Sequence, residues 1–256
     1  MNRDIVRQVV NVATFLVMVF VNGLANTLPL NGQTTAEISD RFTVFFVPAG
    51  YVFAIWGLIY LALLAFAIYQ ALPSQRSNPR LRRIGYLFAL GSLANTVWIF
   101  LWHYNYLALT VVVMLILLLS LIAVYLLLDI GKAAVHAAEK WCVDIPFSIY
   151  LGWISVASIA NISDWLYDLR WDGFGIAADV WAAMMLIVAL LLTLIMIATR
   201  GDSAYSLVII WAAVGIANKQ AAVPIVANTA WLVALLVVLA LAARLFMRRV
   251  QPASAV

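Results

Sequence analysis

The chain is a succession of apolar runs of about twenty residues, each long enough to cross the roughly 30 Å hydrocarbon core of a bilayer as a helix. The runs cover 5–28, 49–72, 84–102, 107–128, 145–162, 177–199, 205–220 and 225–246, separated by charged or Pro-, Gly- and Asn-rich breaks. Peptide groups in lipid must be hydrogen-bonded within their own segment, so separate apolar runs of this length read as helices. Composition agrees, with 66% apolar or aromatic residues and only 10% charged ones, far from the quarter or so of charged residues in an ordinary soluble domain. The expectation is an all-α integral membrane protein, a polytopic helical bundle with eight transmembrane helices.

Charge placement tests that count. If eight helices alternate in direction, twelve Lys and Arg residues fall on one side and only Arg41, Arg170 and Lys219 on the other. Such a bias places both termini in the cytoplasm, and the chain is read as a multi-pass protein of the cytoplasmic (inner) membrane. Arg3 and Arg7 before the first run resemble the start of a signal peptide, but the run is long and has no clear small-x-small cleavage site, so it is read as a retained span. The net charge of +4 indicates no nucleic-acid surface once its distribution is seen. A single cysteine, Cys142, excludes an intramolecular disulfide and a thiolate metal cage.

Two connections stand out. Residues 29–47 are long and polar and end in the apolar patch 42–47, a segment able to fold back over the mouth of a bundle. Residues 161–178 carry Asp164, Asp168 and Asp172 interleaved with Trp165, Tyr167 and Trp171. A spacing of four aligns the carboxylates on a helix, yet no further ligands converge, so an aromatic interface belt with solvated acids is read here and no metal site.

Polar and aromatic residues inside the runs form stripes, because positions three, four or seven apart share a helix face. Phe53, Trp56 and Tyr60 align in the second run, Asn95, Trp98 and Trp102 in the third, and Tyr150, Trp153, Ala157 and Asn161 in the fifth. Of the ten tryptophans, Trp56, Trp98, Trp153 and Trp211 lie within runs, where an interfacial belt does not explain them. Lipid cannot satisfy the amides of Asn95 and Asn161, so they face the bundle interior, as bonds between helices or as contacts to a ligand. The residues alone leave packing seam and ligand pocket equally open.

Three segments carry a family resemblance: P-A-G-Y-V-F-A-I-W-G-L-I-Y at 48–60, N-T-V-W at 95–98, and Tyr150 and Trp153 followed by Ala157 and Asn161. In this order they resemble the TspO/MBR family, the tryptophan-rich sensory proteins related to the translocator protein. The second run lacks that family's inner proline and is one residue shorter. The resemblance covers residues 1–162, a five-helix bundle, and leaves 163–256 as a three-helix membrane extension. Trp211, Gly215 and Asn218 there echo Trp153, Ala157 and Asn161, an echo that arises easily in Ala- and Val-rich helices.

The resemblance implies a pocket between the second, third and fifth spans, under 29–47, for a flat hydrophobic molecule. A tetrapyrrole (a porphyrin or haem precursor) is the preferred ligand, with no cofactor required, and the protein is expected to sense or facilitate its movement. In that pocket Trp56, Trp98 and Trp153 would stack on the ligand and Tyr60, Asn95 and Asn161 would bond its polar edge, with Phe53, Trp102, Tyr150 and Ala157 as further ligand-binding residues. A sterol fits less well, because Leu166 abuts Tyr167 before Arg170 and leaves no spacer of the proposed cholesterol motif. Small residues four apart, Ser148 with Gly152 and Ala213 with Ala217, suit close packing within one bundle or a homodimer. No catalytic residue is assigned, since no pair of carboxylates falls deep in a run, and coupled transport lacks the intramembrane charges it usually needs. The alternatives are an uncoupled transporter of another hydrophobic substrate and a membrane enzyme acting on porphyrin or lipid. His103 reads as an interfacial residue, with axial ligation of haem iron as the alternative; His136 reads as solvated.

Overall fold

The structure, a computed structural model, describes residues 3–28 and 30–250. The described residues contain helices and no strand. Eight long helices lie where the apolar runs are: α1 (Arg3–Thr27), α3 (Ile55–Ala71), α5 (Leu87–His103), α6 (Leu107–Leu127), α8 (Ile145–Asp168), α9 (Ala178–Arg200), α10 (Ser203–Lys219) and α11 (Pro224–Val250). Short helices α2 (Thr35–Ser39), α4 (Pro79–Ile84) and α7 (Ala137–Glu139) sit in the connections. Six spans are long and apolar enough to cross a membrane, the 17-residue α3 when the turn Gly50–Ala54 before it is counted, while α5 and α10, also 17 residues, fall short.

Local chemistry sets many of the ends. Asn78 caps α4 by accepting from the amides of Arg80 and Leu81, Pro79 occupies its first turn, and Gly85 at φ 53° stops it. Asp202 caps α10 through the amide of Tyr205, and Gly201, left-handed at φ 62°, terminates α9 just before it. Pro224 opens α11, where a missing amide hydrogen costs nothing.

Two expected boundaries move. The second run was expected to be helical from residue 49, but the α-helix begins at Ile55 and is preceded by a 3-10 turn over Gly50–Ala54. The amide of Ala49 is bonded to the carbonyl of Gly215 instead of a helical partner. The fifth run was expected to end at 162, yet α8 continues to Asp168, because Trp165, Leu166 and Tyr167 extend its apolar character until Arg170 turns left-handed at φ 54°. The first residue of the expected loop 29–47, Pro29, lies outside the described residues.

The chain forms two compact units, Met1–Val44 with Phe53–Trp171, and Phe45–Val52 with Asp172–Val256. In the first, α1 packs on α3 and α5, α5 on α6, α6 on α8, and α8 on α3, which closes a ring of five helices. Close approach of α5 and α6 depends on Gly91, where an added Cβ would meet the Ser120 hydroxyl at 2.9 Å. One end of the ring is basic and tightly tied. Arg82 pairs with Asp4, Arg7 donates to the carbonyl of Arg76 at 3.1 Å, and Arg80 reaches Glu139 at 3.0 Å, Asp144 at 2.7 Å and the carbonyl of Leu128 at 2.7 Å. Glu139 caps and Asp144 ends a π-helical turn, Lys140–Asp144, which leads into α8. At the other end Asn31 donates to the carbonyl of His103, and Arg41 to the side chain of Asn105. Opposite connections thus gather at opposite ends, as alternating helices require.

In the second unit α9, α10 and α11 pack mutually, and Arg244 of α11 bonds the last carbonyls of α9 at Ile197 and Ala198. The segment Phe45–Val52 docks on α10 by its backbone. Trp211 donates its indole N–H to the Val52 carbonyl at 3.0 Å, Asn218 donates to the Tyr51 hydroxyl at 2.8 Å, and the Tyr51 and Trp211 rings meet edge to face. Protein groups thus satisfy the non-helical backbone of this segment, as a membrane-embedded chain requires.

Candidate functional site

The five-helix unit brings the expected site residues into two neighbourhoods. The first is a ring cluster between α3 and α8. Trp56 stacks on Tyr60, with centroids 5.5 Å apart and planes at 22°, and meets Tyr150 and Trp153 edge to face at 6.1 Å each. Phe53, from the turn before α3, meets Trp153 edge to face at 5.8 Å. Edge-to-face pairs of this kind contribute about 0.5–1.5 kcal/mol each beyond the area they bury. Tyr150 and Trp153 are buried, whereas Phe53, Trp56 and Tyr60 are half-buried.

Behind this cluster runs a chain of amides. Asn22 of α1 donates to the Asn95 side-chain oxygen at 2.7 Å, and Asn95 donates to the Tyr150 hydroxyl at 3.0 Å. The chain joins α1, α5 and α8 across the ring, each link contributing roughly 0.6 kcal/mol if it behaves as measured interhelical bonds do.

The second neighbourhood lies at the ends of α5, α6 and α8 away from Arg80. Trp98 stacks on Trp102 with centroids 5.1 Å apart and planes at 17°. The Trp98 indole donates to the Asn161 oxygen at 3.2 Å, and the Asn161 amide donates to the Thr110 hydroxyl at 2.9 Å. Trp102 donates to the backbone carbonyl of Thr35 at 3.2 Å and packs with Ile38 and Leu107. Residues 30–42 therefore close over this end, held by Trp102, by Asn31 and by the packing of Phe42 against Trp102 and Tyr167. The short helix α2 in this cover has a complete capping box. The Thr34 hydroxyl accepts from the Glu37 amide, and the Glu37 carboxylate accepts from the Thr34 amide at 2.7 Å. The Thr34 amide, and the Thr34 hydroxyl donating to the same carboxylate at 2.9 Å, hold the Glu37 carboxyl below its ordinary range.

Both asparagines expected at the polar edge of a ligand are engaged with protein, so in this arrangement they position helices. The donor that stays unmet is another one: the Trp153 indole N–H is fully buried and has no hydrogen-bond acceptor among the described residues. Leaving such a donor unpaired costs about 1–3 kcal/mol. Ala157 lies half-buried between Trp153 and Asn161 on the same face of α8. Asn22 and Thr110 were not among the expected residues. The rule that singled out Asn95, an amide stranded in an apolar run, applies to Asn22 equally; nothing in the sequence distinguishes Thr110 from other hydroxyls.

The triad of acids at the end of α8 does not form a shared site. Asp164 and Asp168 are helical, Asp172 caps the turn Gly173–Gly175 by accepting from the Phe174 amide, and no cluster of three metal-ligating side chains occurs among the described residues.

A family model described as TSPO-like protein matches residues 8–243, which carries the match through α9, α10 and most of α11. No curated protein and no solved structure matches the chain.

Proposed function

Because this chain belongs to the TSPO-like protein family, a multi-pass membrane protein of a kind that handles hydrophobic molecules, we propose that its five-helix unit binds a flat, largely apolar ligand, a tetrapyrrole by preference. The contact surface is the ring cluster of Phe53, Trp56, Tyr60, Tyr150 and Trp153. The observation that carries this reading is the buried Trp153 indole N–H without an acceptor. A seam evolved only for packing has no reason to retain a donor that costs about 1–3 kcal/mol unpaired, whereas a binding site keeps one to orient its ligand.

The same unit suggests what polarity the ligand carries. Asn95 and Asn161 spend their oxygens on Asn22 and Trp98. The Tyr150 oxygen already accepts from Asn95, which leaves its proton to give. The cluster accordingly offers donors, and a ligand with carbonyl or carboxylate oxygens at its edge complements it. Within the second unit the Trp211 indole meets a carbonyl, that of Val52, in the same way.

The ligand enters beneath residues 30–42, and the protein acts as a sensor-like binder or an uncoupled facilitator, since the ring cluster contains no ionisable pair to couple transport. Segregation of Lys and Arg supports a cytoplasmic membrane with both termini inside. Titration of the purified chain with protoporphyrin, followed by tryptophan quenching, is expected to saturate. Saturable quenching that persists unchanged in a variant combining Trp98→Phe and Trp153→Phe sinks the site. Faster release of porphyrin from liposomes that contain the protein identifies a facilitator.

A further inference from the structure

Positive charge at the basic end of the five-helix unit exceeds what the protein neutralises there. Arg80 is met by Glu139 at 3.0 Å and Asp144 at 2.7 Å. Apart from it, residues 3–7 and 76–86 hold five arginines, Arg3, Arg7, Arg76, Arg82 and Arg83, and a single acid, Asp4. Arg82 bonds both oxygens of Asp4, and Arg7 shares one of them at 3.3 Å. Among the described residues no carboxylate pairs with Arg3, Arg76 or Arg83. Arg3 and Arg83 are exposed, so water solvates them. Arg76 is half-buried, and its Nε is enclosed by protein with no acceptor among the described residues. A guanidinium partly withdrawn from water without a counterion is destabilising, so the position favours an anion supplied from outside.

The three unmatched charges surround a fixed frame. The Arg82–Asp4 pair ties α4 to the start of α1, and Arg83 and Arg3 are the chain neighbours of those two residues. Arg7, itself buried, donates to the Arg76 carbonyl at 3.1 Å, and Gln8 donates to the Leu72 carbonyl at 3.3 Å, which pins the connection after α3 against α1. The frame also lies where spans end: Arg3 opens α1, Arg76 follows the end of α3 by five residues, and Arg83 precedes α5 by four. Between Arg83 and α5 the Tyr86 ring is 50% exposed, an aromatic at the level of lipid headgroups. In the orientation proposed above this level belongs to the cytoplasmic leaflet, which carries anionic lipid. We propose that this patch, Arg76 with Arg3 and Arg83 beside it, binds the phosphate headgroup of an anionic phospholipid. The guanidinium nitrogens donate and the phosphate oxygens accept, the pairing for which arginine is best shaped. The site is at the opposite end of the unit from Trp98 and Trp102 and does not rest on the tetrapyrrole reading.

Thermal unfolding of the full chain in neutral detergent, with phosphatidylglycerol or phosphatidylcholine added, tests the site. Phosphatidylglycerol is expected to raise the melting temperature saturably, and about 0.5 M sodium chloride to weaken the effect, whereas phosphatidylcholine leaves the melt unchanged. Arg76→Gln should need about fivefold more phosphatidylglycerol for half the shift. Without lipid it should melt no lower than wild type, since it removes a charge that the protein leaves unmatched. Arg83→Gln, at an exposed position where folding is not at stake, should weaken the response in the same way. Lys132→Gln, exposed in another connection, should respond like wild type. Equal shifts from the two lipids overturn the proposal, as does a full phosphatidylglycerol response in a variant combining Arg76→Gln and Arg83→Gln. The same shift from inorganic phosphate at matched concentration makes this a site for a small free anion and overturns the lipid assignment. Equal weakening in Lys132→Gln reduces the effect to general surface charge and overturns it too.

Discussion

A donor without an acceptor makes opposite predictions for stability and for binding, which separates a functional residue from a structural one. Trp153→Phe keeps the edge-to-face contacts with Phe53 and Trp56 in kind and removes the unmet N–H. Thermal unfolding in detergent should show the ligand-free protein unchanged or stabilised by up to ~1 kcal/mol, while affinity for a carbonyl-edged porphyrin, followed by ligand fluorescence, falls about tenfold, the equivalent of ~1.4 kcal/mol. A variant that is destabilised and binds normally would show the indole to be packing. Glycines give a second contrast. A Cβ at Gly215 would lie 2.2 Å from a Val52 methyl and 3.1 Å from Pro48, whereas a Cβ at Gly57 meets nothing within 4 Å. Gly215→Ala should destabilise the second unit by about 1–3 kcal/mol, and Gly57→Ala, in the interior of α3, should leave the protein as stable or up to ~1 kcal/mol more so. Equal melting temperatures for the two variants would contradict the docking of 45–52 on α10. Such contacts were illegible in the sequence: Trp153, Asn95 and Asn161 were recognisable as misfits in lipid, but which would bond one another and which would stay unmet depends on the azimuth of five separate helices.

At the scale of elements, hydropathy located the eight long helices, because length and apolarity are what a bilayer selects, and Asp202 caps the start of one of them, α10. Hydropathy could not mark the start of α3. Residues 49–54 are as apolar as the helix that follows, and only the acceptor at Gly215 and the donor at Trp211 show why their backbone is free to leave the helical ladder. The extension of α8 was hidden for the converse reason, since Asp164 and Asp168 look like loop residues although the rings between them continue the helix. The cover helix α2 offers an acid-sensitive test. Bonds from the Thr34 amide and hydroxyl lower the Glu37 pKa below its ordinary value of 4.5. The cap is therefore fully present above that value and is lost as pH falls through the lowered one. Amide exchange of α2, corrected for its intrinsic pH dependence, should accelerate below that point in the wild type. Glu37→Gln retains an acceptor for the Thr34 amide and should abolish the acceleration; acceleration of the same size in both would exclude the capping box as its cause.

For the whole molecule the decisive quantity is how often the chain crosses the membrane. Within the first unit, ties among Asp4, Arg7, Arg76, Arg80 and Arg82 gather one set of connections, and ties among Asn31, Thr35, Arg41 and Asn105 gather the other. A helix that failed to cross would force a basic connection to the wrong end, against both these contacts and the distribution of Lys and Arg. The 17-residue α5 and α10, which no preceding turn lengthens as Gly50–Ala54 lengthens α3, are where failure would occur, since roughly 25 Å of helix at 1.5 Å per residue is near the lower limit for a span. Single cysteines introduced into a Cys142→Ser background resolve it: Arg83→Cys and Lys132→Cys flank α5 and α6 on the basic side, and Glu37→Cys lies beyond them in the cover. An impermeant maleimide applied to intact cells should label only Glu37→Cys, and applied to inverted vesicles only the other two. The same measurement on Ser203→Cys and Lys219→Cys, both exposed, tests α10, with Ser203→Cys expected to follow Arg83→Cys and Lys219→Cys to follow Glu37→Cys. Labelling of both ends of α10 from one side would reduce the count to an odd number of crossings and place the two termini on opposite sides.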